Sequence, residues 1–233
     1  MRRVTINDPT TNRTAPQQPR QRCPEGLESY KAVPPPKYPN RHVEPIGPLD
    51  QILADSHILD TPEGRALGES PLDFLADHLP ECSSATQIFT SRTLRPNTKV
   101  ASDFHKACDN VPNVLVIIKS GQYIAGGFTA VAFESPNNYF YKANTDGTTF
   151  VFSLNRRKAY RLRNQKSAII CDKESGPVFG DCDIFIKNDF AKVDNHEQLY
   201  SSTSSFDNTN VVKGELFGTQ IFAADEYEVY KLE

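Results

Sequence analysis

The sequence predicts a mainly β (α+β) fold: a β-sandwich of two antiparallel sheets with flanking short helices, preceded by an extended tail. Three observations predict it. From Gln87 onward, short apolar or alternating runs recur, separated by turn signals at Ser120-Gly, Asp146-Gly, Ser175-Gly-Pro and Lys213-Gly. Helical spacing is confined to a few short stretches. Ten of the 17 prolines fall in residues 1–48, so that segment lacks the backbone donors a packed element needs. Many short strands with few helices argue for a sandwich.

The chain divides into an extended proline-rich tail (1–48), a linker with a short helix (49–70) and a domain (71–233). The tail carries a local charge of +4 while the remainder carries −7, and Val33-Pro-Pro-Pro-Lys-Tyr-Pro suits a polyproline II conformation. The tail reads either as a disordered leader or as a segment lying extended on a partner. In the second case Ile6, Leu27, Tyr30, Tyr38 and Ile46 are its apolar anchors, and Arg20, Arg22, Lys31 and Lys37 meet an acidic surface. In the linker, Leu49, Ile52 and Leu53 recur at helical spacing and predict a helix ending near Ser56, and Thr61-Pro-Glu-Gly predicts a turn.

Within the domain, Ser70 is a good N-cap, Pro71 suits the first helical position and Pro80 follows the end, which predicts a helix with Leu72, Leu75 and Leu79 on one stripe. Gln87–Arg92 reads as a strand. Residues 101–109 read as a helix with Phe104 and Cys108 on one face. The unbroken apolar run Val114–Lys119 implies a strand covered on both faces. Further strands are expected at 123–134, 149–154 (Phe150, Phe152 and Leu154 on one face), 167–171, 182–187 and 226–232.

The net charge of −3 gives no argument for nucleic acid. No stretch approaches the roughly 20 apolar residues that span a bilayer, and the N-terminus has no apolar leader core. Five widely spaced cysteines without a CxxC pair predict reduced thiols in a cytoplasmic compartment.

Several motifs in order carry a resemblance. They are Leu79-Pro80, Phe89-Thr-Ser-Arg92, the helix with Phe104, His105, Cys108 and Asp109, the apolar strand Val114–Ile118, and Gly126-Gly127-Phe128. Phe152–Asn155, Gly176–Gly180 and Glu228-Val229-Tyr230 complete the series. From about Leu72 to the C-terminus the chain resembles the TLDc domain family, a family known mainly for binding and regulation. It departs from the pattern at Thr93-Leu94, where the family has Asp-Gly, and at Phe133, where a tryptophan is common. The resemblance implies that Glu228, in the last strand, is associated with partner binding. It also implies two functional precedents, regulation of the vacuolar-type proton pump and protection against oxidative stress.

Each chemical constellation has a bland counterpart. His105 and Cys108 share a helix face and resemble a thiolate–imidazole pair, but a buried structural Cys beside a surface His accounts for them as well. Asp181 and Asp183, on one side of a strand with Cys182 opposite, are better read as turn or hydrogen-bonding residues than as a metal site, with Asp183 and Gly180 architectural. Gly126 and Gly127 are expected to let the sheet bend under a neighbouring helix. The basic turn Asn155–Arg163, with Arg156, Arg157, Lys158 and Arg161, is either a partner-binding patch or a solvated surface. His196 is read as part of a solvated loop.

The sequence therefore predicts a non-catalytic protein-binding module without cofactor or metal. Its domain docks on a large assembly with the tail as tether, and the tail's character suggests a ciliary or cytoskeletal lattice. The alternatives are a proton-pump regulator or oxidation-protection protein, and a Cys/His-dependent redox or hydrolytic enzyme.

Overall fold

The last strand lies inside the first sheet, between strands made much earlier. In the computed structural model, residues 56–68, 71–94, 100–187, 199–201, 205–206, 214–219 and 221–233 are described. The tail and its anchors, the stretch 49–55 that the sequence predicts as helical, Ser70 and His196 lie outside them. One sheet holds β1 (Ala85–Thr90), β2 (Val114–Ser120), β3 (Tyr123–Thr129), β5 (Phe150–Ser153), β6 (Lys158–Arg161) and β12 (Glu226–Leu232). Their order is β1-β12-β2-β3-β5-β6, with every pairing antiparallel. The second sheet holds β4 (Phe140–Lys142), β7 (Ile169–Cys171), β8 (Ser175–Phe179), β9 (Ile184–Lys187), β10 (Leu199–Ser201) and β11 (Ile221–Phe222), in the order β11-β10-β9-β8-β7-β4 and again antiparallel.

Strand alternation sorts the apolar side chains into two cores. Val114, Val116 and Ile118 of β2, with Tyr227 and Val229 of β12, face the second sheet and meet Phe179 and Ile184. Leu115 and Ile117, with Tyr230 and Leu232, point the other way and pack with Phe128, Phe150 and Phe152. Helices cover this outer face: α1 (His57–Asp60), α2 (Pro62–Arg65) and α3 (Pro71–Ala76). Ile58, Leu67 and Leu75 from this layer join the outer core and are almost completely buried. Both faces of β2 are thus dry, which explains its unbroken apolar run.

Residues 56–68, assigned by sequence to the linker, lie on the domain. Ser56 is the N-cap of α1; its hydroxyl accepts the Leu59 N–H at 3.2 Å. Thr61-Pro-Glu-Gly is not a simple turn. Thr61 caps α2 in the same way, and Pro62 occupies its first turn. On the other side of the sandwich, α4 (Val100–Cys108) packs Phe104 against Phe133 and Phe89 in edge-on ring contacts.

Other expectations shift. The strand expected over 123–134 stops at Thr129, whose hydroxyl donates to the Val131 carbonyl at 3.1 Å and accepts its N–H at 3.2 Å, turning the chain. Ser175-Gly-Pro reads as a turn but opens β8, which is buried throughout. Of the glycine pair, Gly127 faces the opposite sheet and not a helix, whereas Gly126 lies against its own sheet and Phe152 of the outer core. A Cβ on Gly127 would stand 2.8 Å from the Phe179 ring, and one on Gly126 would stand 1.9 Å from the Val116 carbonyl oxygen.

Candidate functional site

Strand alternation that sends Tyr230 and Leu232 into the outer core sends Glu226 and Glu228 the same way. Two carboxylates thus enter an apolar layer, where burial is tolerated only with hydrogen-bond donors. Residues 56–58 supply them. The Ser56 hydroxyl donates to Glu228 Oε2 at 2.6 Å, and the backbone N–H groups of His57 and Ile58 donate to Oε1 at 3.0 and 3.3 Å. The Tyr230 hydroxyl donates to Oε2 at 2.8 Å and itself accepts from the Gln87 amide at 3.0 Å. Glu228 is 0% exposed. Burial, with the Glu228 carboxylate alongside, holds the Tyr230 hydroxyl in its protonated form well beyond the usual range. One strand step away, His57 Nδ1 lies 2.8 Å from Glu226 Oε2. Sequence reasoning found Glu228 but missed Ser56, His57, Glu226 and Tyr230. The available signal was the recurrence of acidic residues on the apolar side of an alternating strand.

The His/Cys pair is buried on the inner side of α4. Cys108 is 0% exposed, and burial followed by the neighbouring Asp109 charge pushes its thiol far up, so the thiolate is strongly disfavoured. His105 is buried and not at the surface, a correction to the reading of it as a surface His. Its Nδ1 lies 2.7 Å from Asp109 Oδ1, while Nε2 lies 2.9 and 3.0 Å from the carbonyl oxygens of Asp172 and Ser175. Carbonyls only accept, so Nε2 carries a proton and serves to tie α4 to the β7–β8 turn. The second oxygen of Asp109 accepts the Ser135 hydroxyl at 2.5 Å.

The basic turn grips its own chain. Arg157 Nη2 donates to the Leu67 carbonyl at 3.2 Å and Arg161 Nη2 to the His78 carbonyl at 3.4 Å, holding the helical layer at two points. Arg156 Nε donates to the Glu215 carbonyl at 3.0 Å, and Lys158 Nζ lies 3.6 Å from the Glu215 carboxylate. Lys158 and Arg161 remain exposed. What reads as a turn is in part β6, paired along β5.

Asp181, Cys182 and Asp183 form a turn before β9 and not the alternating start of a strand. Asp183 is 0% exposed and accepts the N–H groups of Asp181 and Ser205 at 3.1 and 3.2 Å. Gly180, at φ +64°, leaves room for it: a Cβ there would lie 2.0 Å from Asp183 Oδ2. Asp181 instead faces outward and accepts the Tyr141 hydroxyl at 2.6 Å. The expectation of reduced thiols is corrected at one position: Cys182 is disulfide-bonded, while Cys82, Cys108 and Cys171 are free. Among the described residues no group of three or more His, Cys, Asp or Glu side chains is placed to hold a metal ion. Arg20, Arg22, Lys31, Lys37 and Tyr38, the tail's candidate contacts, lie outside the described residues.

No helix among the described residues is long and apolar enough to cross a membrane. No curated protein matches the chain. A family model does: the TLDc domain, over residues 67–233. That span takes in all twelve strands of the two sheets, the helix carrying His105 and Cys108, and the strand carrying Glu226 and Glu228. With the motif order and the two-sheet architecture in agreement over most of its length, the chain belongs to the TLDc domain family.

Proposed function

We propose that this protein is a non-catalytic protein-binding module whose domain docks on a large assembly while residues 1–48 run along it as an extended tether. The tail's proline density and its charge, opposite to that of the domain, suit a structural component of a ciliary or cytoskeletal lattice in the cytoplasm. The observation that carries the reading is that the chemistry-bearing side chains are spent on the fold. His105 ties a helix to a turn, Cys108 is sealed in the core, and Glu228 anchors residues 56–58. Membership of a generally non-catalytic family supports it. In this reading no cofactor is needed. Lys158 and Arg161, exposed on the basic turn, join Arg20, Arg22, Lys31, Lys37 and Tyr38 of the tail in contacting the partner. Arg156 and Arg157 shape the turn, and Glu228 acts by fixing the segment laid over it.

A second reading, regulation of the vacuolar-type proton pump with a role in oxidation resistance, is favoured by one observation. Glu228 occupies the position that family resemblance associates with partner binding, and among the described residues the short segment 56–58 lies over it.

Affinity capture of the full-length protein from ciliated cells at physiological salt, followed by mass spectrometry, separates the readings. Cytoskeletal lattice proteins are expected under the first and proton-pump subunits under the second. Both binding readings fall if the protein shows a redox or hydrolytic activity that Cys108→Ser abolishes without changing the melting temperature.

A further inference from the structure

The connection between β3 and β4 carries an exposed serine followed by proline, Ser135-Pro136. The chain has two other Ser/Thr-Pro pairs, Thr61-Pro62 and Ser70-Pro71. Thr61 is locked: its hydroxyl donates to the Ile58 carbonyl at 2.7 Å and accepts the Gly64 N–H at 3.2 Å, and Pro62 opens a helix. Ser70 lies outside the described residues. Ser135 stands instead in irregular chain, where the following proline biases it to the extended conformation in which kinases bind their substrates.

Ser135 also borders a cleft of about 450 Å³ between α4 and the β7–β8 turn, shared with Ser102, His105, Lys106, Asp109, Lys173 and Glu174. Lys106 and Lys173 are both exposed. Lys173 already reaches the same connection, donating to Asn137 Oδ1 at 3.3 Å, two residues beyond Ser135. The Ser135 hydroxyl donates to Asp109, so it holds this connection to the end of α4.

We propose that Ser135 is the site of a proline-directed kinase and that the phosphate it receives is held by Lys106 and Lys173. The kinase transfers the γ-phosphoryl group of ATP: the bond to ADP breaks, a bond from phosphorus to Ser135 Oγ forms, and the hydroxyl proton leaves to the kinase's base. The product carries a charge of about −1.5 to −2 at neutral pH and three acceptor oxygens. It can no longer donate to Asp109, and the two negative groups repel. Asp109 keeps His105 through its other oxygen. The phosphate swings toward the two lysines, where charge-assisted hydrogen bonds replace the lost one. Modification thus exchanges the Ser135–Asp109 contact for the two lysines, while the Asn110 N–H still donates to the Phe133 carbonyl and α4 keeps its contact with the β7–β8 turn. This inference stands independently of which assembly the protein joins.

The test incubates the full-length protein with ATP and a proline-directed kinase of the mitogen-activated class, and maps phosphate by mass spectrometry. Phosphate is expected on Ser135 of the native protein and is lost at this position in both Ser135→Ala and Pro136→Ala. Pro136→Ala retains the Ser135–Asp109 bond, so its result does not depend on that contact being dispensable for folding. Phosphate placed on Thr61, Ser70 or elsewhere but not on Ser135, or no incorporation, overturns the site. Phosphorus NMR then follows the second ionisation of the phosphoserine. It is expected at lower pH in the native background than in the Lys106→Gln/Lys173→Gln variant; identical titrations overturn the role of the lysines.

Discussion

The carboxylate of Glu228 is the receptor for Ser56: the serine hydroxyl reaches Oε2 at 2.6 Å across the outer face of the first sheet, and the next two backbone N–H groups reach Oε1. A residue that family resemblance associates with partner binding, or that serves as a structural carboxylate, is thereby the inner half of a fastening to residues 56–58.

Glu228→Ala strips the acceptor from two hydroxyls and two backbone N–H groups in a dry layer. Unsatisfied buried groups cost about 1–3 kcal/mol each, though relaxation and water entry will limit the total. A loss of about 2–5 kcal/mol is expected. Glu228→Gln keeps one acceptor oxygen and should lose less. Thermal and urea melts of both variants check the order, and melts matching the native protein would remove the fastening from the account. Capture of the partner with each folded variant then reads whether binding follows the segment.

The glycine pair offers a graded contrast. Alanine at 126 meets the rigid backbone carbonyl of Val116, whereas alanine at 127 meets the ring of Phe179. Overpacking costs roughly 1–3 kcal/mol where side chains can yield, and more where only backbone can move. Gly126→Ala is therefore expected to be the more damaging, and Phe179→Leu should recover part of the stability lost in Gly127→Ala but none of that lost in Gly126→Ala. Melting temperatures of the single and double variants decide it.

Alkaline pH should unfold the domain early. Burial raises the Cys171 thiol from its ordinary 9.0 to about 11, and pushes those of Cys108 and the hydroxyls of Tyr227 and Tyr230 up as well. A group whose folded value is raised contributes stability that is fully present below its unfolded value and is lost as pH rises toward the folded one. The loss should begin near pH 9, as the cysteines of the unfolded chain ionise, and steepen beyond 10 as its tyrosines follow. Melting temperatures taken through this range check the fall. The tyrosinate absorbance contributed by Tyr227 and Tyr230, read as the difference from the Tyr227→Phe/Tyr230→Phe variant, should rise together with unfolding and not before it.

Deletion of residues 1–48 should weaken incorporation of the domain into the assembly. A tether gains affinity through effective concentration once the domain has docked. The remaining binding should depend less on salt, because Arg20, Arg22, Lys31 and Lys37 are gone. Equal incorporation of truncated and full-length protein at physiological salt would make the tail a passive leader.

The two-sheet architecture was legible because its central strands are strongly patterned. Val114–Ile118 is unbroken apolar chain, and Glu226–Leu232 sets aromatic and aliphatic residues among its charges. Strand β8 escaped because Gly176-Pro177 is the vocabulary of a turn, and only the packing of Phe104 over Gly176 shows why glycine is needed there. Strand β6 was obscured by charge: Arg157 and Arg161 look solvated until the carbonyls of Leu67 and His78 are placed beside them. The candidate site was half legible for the same reason. Glu228 could be singled out within its strand, but Ser56 is 172 positions away, and no local pattern links a carboxylate to a hydroxyl across such a distance. His105 was misplaced because helical spacing sets its face relative to Cys108 but not the depth of the β7–β8 turn that covers it.

The insertion of β12 between β1 and β2 sets a timetable for biosynthesis. As the ribosome releases β1 and then β2, neither has the neighbour it will finally pair with on the shared side, because residues 226–232 are still to be made. Two hydrophobic strand edges therefore wait through the synthesis of nine further strands, exposed to wrong pairing with each other or with another chain. The first sheet is completed last, when β12 slots in between β1 and β2.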